Sequence, residues 1–377
     1  MINFDKNATT KLSKTVWDLM EHYAVEEYGN PSALYPFSNN PRKAINEAKE
    51  ILSNIINCEP SEIYFVPSGS AGDNWIIRSI CRRGTVGITS EIEHHAVLNT
   101  FKMLSEENQV HVIYVPIDGN GMIDEQKLNT YVPIANLVSI MYVNNEIGVV
   151  QDINSIGHLC RQHGTPFHTD AVQAFGKVKI DVDAQCIDFL TCSGHKFHAP
   201  KGIGFVYIRD KYINNMKSMF YGGSQQAGLI AGTENVAGIV GMAYAAQEAY
   251  EHLKENEKIV SELFWHFRSQ LKIVLPDIII NNAFDTIQNC ISVSFVNYGI
   301  RGEELQAFLG ENDICVSTGS ACNSSTHEPS HVLKALGLSD NEANSTIRFS
   351  INENNTLEEV TTVIEILVKG VDLLQNR

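Results

Sequence analysis

Seven short apolar, β-branched runs punctuate residues 62–208: EIYFV (62–66), TVGIT (85–89), VHVIYV (110–115), LVSIMYV (137–143), PFHTD (166–170), IDFLTC (187–192) and IGFVYI (203–208). Between several of them lie amphipathic stretches of helix length, such as IRSICRR and INSIGHLCRQHG, the second ending on a glycine suited to a helix C-cap. Strands separated by helices cannot pair as hairpins, so the alternation predicts a mostly parallel seven-stranded sheet between helices, an α/β fold. After about residue 210 the rhythm changes to one long helical stretch (236–271), strands near 290–296, 314–317 and 346–351, and a closing helix from 356. That predicts a large domain over 1–245, whose first ~15 residues can pack with the smaller domain, and a smaller α+β domain over 246–377 that carries the Cys322 loop. A chain of 377 residues, 44% of them hydrophobic, is long enough for two such cores.

Charge and cysteine usage narrow the function. Lys and Arg total 28 against 44 Asp and Glu, and the formal charge of −16 repels phosphate backbones and anionic membranes. Neither nucleic acid nor a membrane is expected as a partner. The start, MINFDKNATTKL, has none of the regions of a secretory signal, which predicts a cytoplasmic protein with reduced thiols. Its eight cysteines include no C-x-x-C pair, so neither a disulfide framework nor a metal site is expected.

Ligands of open parallel sheets bind beyond the carboxyl ends of the strands. Five of the runs lead there into polar segments: VPSGSAGDN, SEIEHHAVLN, NNEIGVVQ, DAVQ and SGHK. Lys196, beside Ser193 and His195, suits a Schiff base with a carbonyl cofactor, or is a solvated surface lysine. Asp170 suits a protonated pyridine nitrogen, with Gln173 three residues on, or is a helix N-cap. The SGSAGDN turn offers amides and Ser70 to a phosphate, or is only a turn. His94 can stack on a planar ring and move protons, or is structural. Asn144 and Asn145 can bind ligand or serve their own turn. Arg348, in STIRFSI, has the fork that suits a carboxylate, or pairs with a surface acid. Finally, STGSACNSSTHEPS (317–330) puts Cys322 on a polar loop, where thiols are seldom kept.

FDKNATT, EYGNPSALY, EIEHHAVLNT, MYVNNEIGVVQDI, HTDAVQAFGK, SGHKFHAPKGIG, AGTENV, VSTGSACNSSTHEPSHVLKALG and STIRFSI together resemble the successive motifs of the NifS/IscS-type cysteine desulfurases. These belong to class V of the fold-type I pyridoxal-phosphate enzymes, and the resemblance runs from residue 2 to about 370. It implies that Lys196 holds pyridoxal phosphate covalently, Asp170 pairs with the ring nitrogen, Gln173 bonds the ring hydroxyl and His94 stacks on the ring. It implies a phosphate site of Gly69, Ser70, Ser193 and His195, completed by Thr233 from the second subunit of a homodimer. Asn145 and Arg348 would bind the carboxylate of L-cysteine. Cys322 would take the sulfur as a persulfide, leaving L-alanine, and pass it to an acceptor protein or small thiol for iron–sulfur cluster or other thio-cofactor synthesis.

The chain departs from that pattern in places. SGSAGD stands where a Gly-Ala-Thr-Glu run is usual, Tyr35 where His is usual, Ala227 and Ile230 where arginines are usual, and Glu353 where a basic residue is common. It also ends at LLQNR, without the long tail with which some members dock a scaffold protein. These changes leave the expected catalytic groups and point to a dedicated acceptor. A selenocysteine lyase or another β-lyase of this fold would not need Cys322, and a non-catalytic scaffold would need neither Lys196 nor Asp170.

Overall fold

The computed structural model describes residues 1–283, 286–319 and 328–376. Its strands are β1 Ile2–Asn3, β2 Ile63–Val66, β3 Val86–Ser90, β4 His111–Val115, β5 Leu137–Ser139, β6 Phe167–Asp170, β7 Phe189–Ser193, β8 Gly204–Ile208, β9 Ile279–Ile280, β10 Cys290–Ser294, β11 Ile314–Cys315 and β12 Thr346–Ser350. The main sheet has seven strands in the order β2, β8, β7, β6, β5, β3, β4. All neighbours are parallel except β8, which runs against both β2 and β7. The fold is the mostly parallel α/β architecture expected.

Successive side chains of a strand face opposite sides, and here both sides are covered. Ile63 and Phe65 of β2 and Phe205 and Tyr207 of β8 join a core with the helices Asn39–Ile56, Ile153–His163 and Val236–Glu251. Tyr64, Val66, Val206 and Ile208 face the other way, onto the helices Gly69–Ile80 and His95–Asn108. Helix Ile153–His163 ends at Gly164 in the left-handed region (φ 68°), the cap its sequence called for.

A second core gathers Phe4, Phe264, Phe267, Phe295 and Phe349. It is built on the antiparallel sheet β12, β10, β9, on the helix Leu253–Val274 and on the closing helix Leu357–Gln375. The helical stretch expected over 236–271 is two helices that meet at His252. The first buries Val236, Ile239, Val240 and Met242 in the main core, and the second buries Leu263, Phe264, Phe267 and Leu271 in the other. A straight helix cannot serve both. The chain's beginning crosses between them: β1 pairs in parallel with β11, and Phe4 lies in the second core. No helix among the described residues is long and apolar enough to cross a membrane.

Candidate active site

Topology decides which residues can meet. β3, β5, β6 and β7 run parallel, and β2, reversed twice through β8, runs with them. The carboxyl ends of these strands therefore open on one edge of the sheet. That edge receives the turn after β2, the His94 turn after β3, the Asn144–Asn145 turn after β5, Asp170 at the end of β6, and Ser193 with the short turn Gly194–Lys196 after β7.

At one end of this edge the helix Gly69–Ile80 presents its N-terminus. Ser68 caps it, its Oγ accepting from the Ala71 amide at 3.2 Å. The first-turn amides of Gly69 and Ser70 have no carbonyl to reach within the helix, an arrangement that suits an anion. Gly69 has to be glycine there, since a Cβ would come within 2.7 Å of Val172 Cγ2 and 3.4 Å of Ser193 Cβ.

Asp170 is 5% exposed, and its Oδ1 accepts from the Val172 amide at 2.8 Å. Burial pushes its carboxyl up to about 6, against the pull of the Val172 hydrogen bond and the Lys196 charge. The Lys196 ammonium donates to the backbone carbonyls of Asn7 (2.5 Å) and Ala8 (3.0 Å). His94 caps its own helix, Nδ1 accepting from the Ala96 amide at 3.1 Å, so the ring's proton sits on Nε2. Burial, then the charge of Lys196, lowers its pKa to about 4, and the ring is neutral at pH 7. His195 is lowered to about 4 by the same two causes, its Nδ1 lying 3.2 Å from Thr9 Oγ1.

Other expected residues are engaged differently. The Gln173 carboxamide is taken at both ends, Nε2 donating to the Asn7 carbonyl (3.0 Å) and Oε1 accepting from Lys177 (2.8 Å). Burial, and then Lys196, lowers the Lys177 ammonium to about 7. Asn144 serves its turn, accepting from the Glu146 and Ile147 amides and donating to the Ile92 carbonyl. The Asn145 carbonyl is held by Asn7 Nδ2 (3.1 Å) and Arg348 Nη1 (3.0 Å). Arg348 also donates through Nη2 to Asp5 (2.7 Å). Thr233 is exposed ahead of helix Val236–Glu251 and makes no hydrogen bond among the described residues of this chain. Cys322 lies outside the described residues.

Four participants escaped sequence reasoning. Asn7 is a hub: its amide donates to Ser350, its carbonyl accepts from Gln173 and Lys196, and its side chain joins Asn145 to Asn289. Asp5, Lys177 and Glu146 are the others. Glu146 accepts from Ser330 Oγ at 2.5 Å, and a Cβ on Gly319 would meet its Oε2 at 2.7 Å. Spacing offered signals for two of these, Lys177 four residues after Gln173 and Glu146 directly after Asn145. Nothing local marks Asp5 or Asn7, which are brought in by pairing with the far end of the chain.

A free helix N-terminus, a buried carboxylate and a lysine whose charge acts on it, with a neutral imidazole near that lysine, fit a phosphorylated aldehyde with a basic ring nitrogen. The comparisons agree. The model of the aminotransferase class-V family matches residues 2–363, and that family implies pyridoxal phosphate. Cysteine desulfurase IscS of Clostridium botulinum is 39% identical over 376 residues, which cover 98% of this chain and 94% of that one. A NifS-like protein of known structure superposes with a TM-score of 0.90 at 34% identity, covering 99% of this chain and 100% of the other. The structure of SspA in complex with cysteine gives 0.83 at 34% identity, covering 94% and 100%. The chain belongs to the class-V aminotransferase family, among the cysteine desulfurases of the IscS and NifS kind.

Proposed function

We propose that this chain is a pyridoxal-phosphate-dependent cysteine desulfurase, converting L-cysteine to L-alanine and taking the sulfur onto Cys322. The observation that carries the reading is the meeting of Lys196, Asp170, His94 and the Gly69–Ser70 helix terminus at one edge of the sheet. Lys196 would hold the cofactor through Nζ, Asp170 its ring nitrogen, and Gly69, Ser70, Ser193 and His195 its phosphate. The bound cofactor supplies an electron sink that makes the substrate Cα–H acidic.

The chain's own groups do the rest. Arg348 and Asn145 would bind and orient the substrate carboxylate. Lys196 Nζ, when not holding the cofactor, would be the base for the substrate Cα proton. His94 offers Nε2–H and stays uncharged at neutral pH. The Cys322 thiolate attacks the substrate sulfur: the new S–S bond forms, the C–S bond breaks, and its electron pair stays on Cβ, which is then protonated to the methyl of alanine. Gln173, held by Lys177 and Asn7, would bond the ring hydroxyl.

A homodimer completes the site in this reading, with Thr233 of each subunit reaching the phosphate of the other. The sulfur then passes to an acceptor protein or small thiol, and a cytoplasmic location keeps the thiols reduced. All seven cysteines among the described residues are free. The test is L-cysteine-dependent alanine formation. The protein as purified should be yellow and active, and Lys196→Ala should lose the activity by orders of magnitude while keeping its fold. A colourless protein that takes up no pyridoxal phosphate on titration contradicts the reading.

A further inference from the structure

Arg348 sits in the middle of β12 with its side chain 7% exposed, beyond the reach of bulk water. Its donors are unevenly used. Nη1 serves the Asn145 carbonyl, Nη2 serves one oxygen of Asp5, and Nε is buried with no partner among the described residues. Nε and Nη2 form one edge of the guanidinium, the edge that binds a carboxylate through two parallel hydrogen bonds. Asp5 thus fills half of a two-bond site and leaves the other half unsatisfied, a costly state for a buried donor.

Asp5 is well placed to hold that position and to leave it. Its backbone is pinned: Phe4 donates to the Cys315 carbonyl, Ser350 donates to the Phe4 carbonyl, Lys6 donates to the Ser350 carbonyl, and the Asp5 amide takes Asn3 Oδ1. Its carboxylate is 22% exposed and free to turn toward solvent. The other carboxylate near Arg348, that of Glu146, is occupied by Ser330 and cannot take over.

We propose that Asp5 is an internal competitor for the substrate carboxylate, a specificity-determining residue that occupies Arg348 in the empty site and yields Nη2 when an amino acid binds. This rests on the function proposed above. An incoming α-carboxylate engages both Nε and Nη2, and two carboxylates on one guanidinium edge repel each other. Every monocarboxylate is thereby bound more weakly than Arg348 alone would bind it. A ligand also held through its amine tolerates that loss, while a plain carboxylate is excluded and the alanine product leaves readily.

The test is the dissociation constant of L-alanine for the holoenzyme, read from the cofactor absorbance and by calorimetry, in wild type, Asp5→Ala and Asp5→Asn. A damaged site binds more weakly; only the loss of a competitor binds more tightly. Asp5→Ala should bind L-alanine about tenfold more tightly, the size of one charge-assisted hydrogen bond. Asp5→Asn should move the same way by less, and it decides the matter if the alanine variant fails to fold. Propionate should raise the melting temperature of the cofactor-free Asp5→Ala protein and leave wild type unmoved. Unchanged or weaker L-alanine binding in a folded variant overturns the proposal, with Asp5 then merely orienting Arg348. A wild-type holoenzyme whose cofactor spectrum does not respond to L-cysteine overturns the proposed function itself, and this inference with it.

Discussion

Asp170 shows how much rests on a single side chain. In the cofactor-free protein its carboxyl is raised to about 6 by burial, so it is largely ionised at pH 7.5 and largely protonated at pH 5. Protonation removes the charge that would hold a ring nitrogen. Pyridoxal phosphate affinity should therefore fall as pH drops through about 6, and Asp170→Asn should bind weakly at every pH. Titrating the cofactor into apo-protein across this range checks it, and a pH-independent affinity would contradict the assignment. The places of Lys196 and Asp170 on the sheet edge were legible because each sits at the end of a run that reads plainly as a strand. Asn144 was not, since in NNEIG its side chain serves the turn while the next asparagine offers its backbone carbonyl to Asn7 and Arg348, and only backbone geometry tells the two apart. The contacts of Gln173 were not legible, because they depend on Asn7, distant in sequence by 166 residues.

Among elements, Glu146 joins the turn after β5 to Ser330, at the far side of the stretch that carries Cys322. Burial raises its carboxyl to about 7, opposed by the Ser330 hydrogen bond and the charge of Arg348. A raised carboxyl favours the folded state while it is protonated, so this contribution is present below about pH 4.5 and is lost as pH rises to about 7. Glu146→Gln removes the titration. Between pH 4.5 and 8 the variant should gain on wild type by about 3 kcal/mol, measured by urea unfolding of the cofactor-free proteins. A difference that stays flat with pH would show that Glu146 does not titrate there. The main strands were readable because their apolar runs are long enough to show a period. β1 and β9 have two residues each, too few for any pattern, and they exist because of their partners β11 and β10. The reversal of β8 was equally hidden, since a strand buried on both faces reads the same in either direction.

At the scale of the molecule, the two cores meet where the chain's beginning, the Asn145 turn and β12 exchange hydrogen bonds through Asn7, Asp5 and Arg348. In the proposed homodimer, Thr233 would be part of the neighbour's phosphate site. Thr233→Ala should weaken cofactor binding by roughly 1.5–3 kcal/mol, the range for a hydrogen bond to a charged group, with folding intact. Equilibrium dialysis and sedimentation test both halves, and a fully active monomer would refute the shared site. The central claim is that carbon chemistry at Lys196 is coupled to sulfur capture by Cys322. A single turnover of the holoenzyme with L-cysteine and no reductant, followed by quantifying alanine and weighing the Cys322 peptide, tests it most directly. The account predicts one alanine per site, matched by one added sulfur atom on Cys322, with Cys322→Ser still perturbing the cofactor spectrum but forming no persulfide and little alanine. Undiminished alanine from Cys322→Ser, with the sulfur released as free sulfide, would contradict it and identify the protein as a lyase.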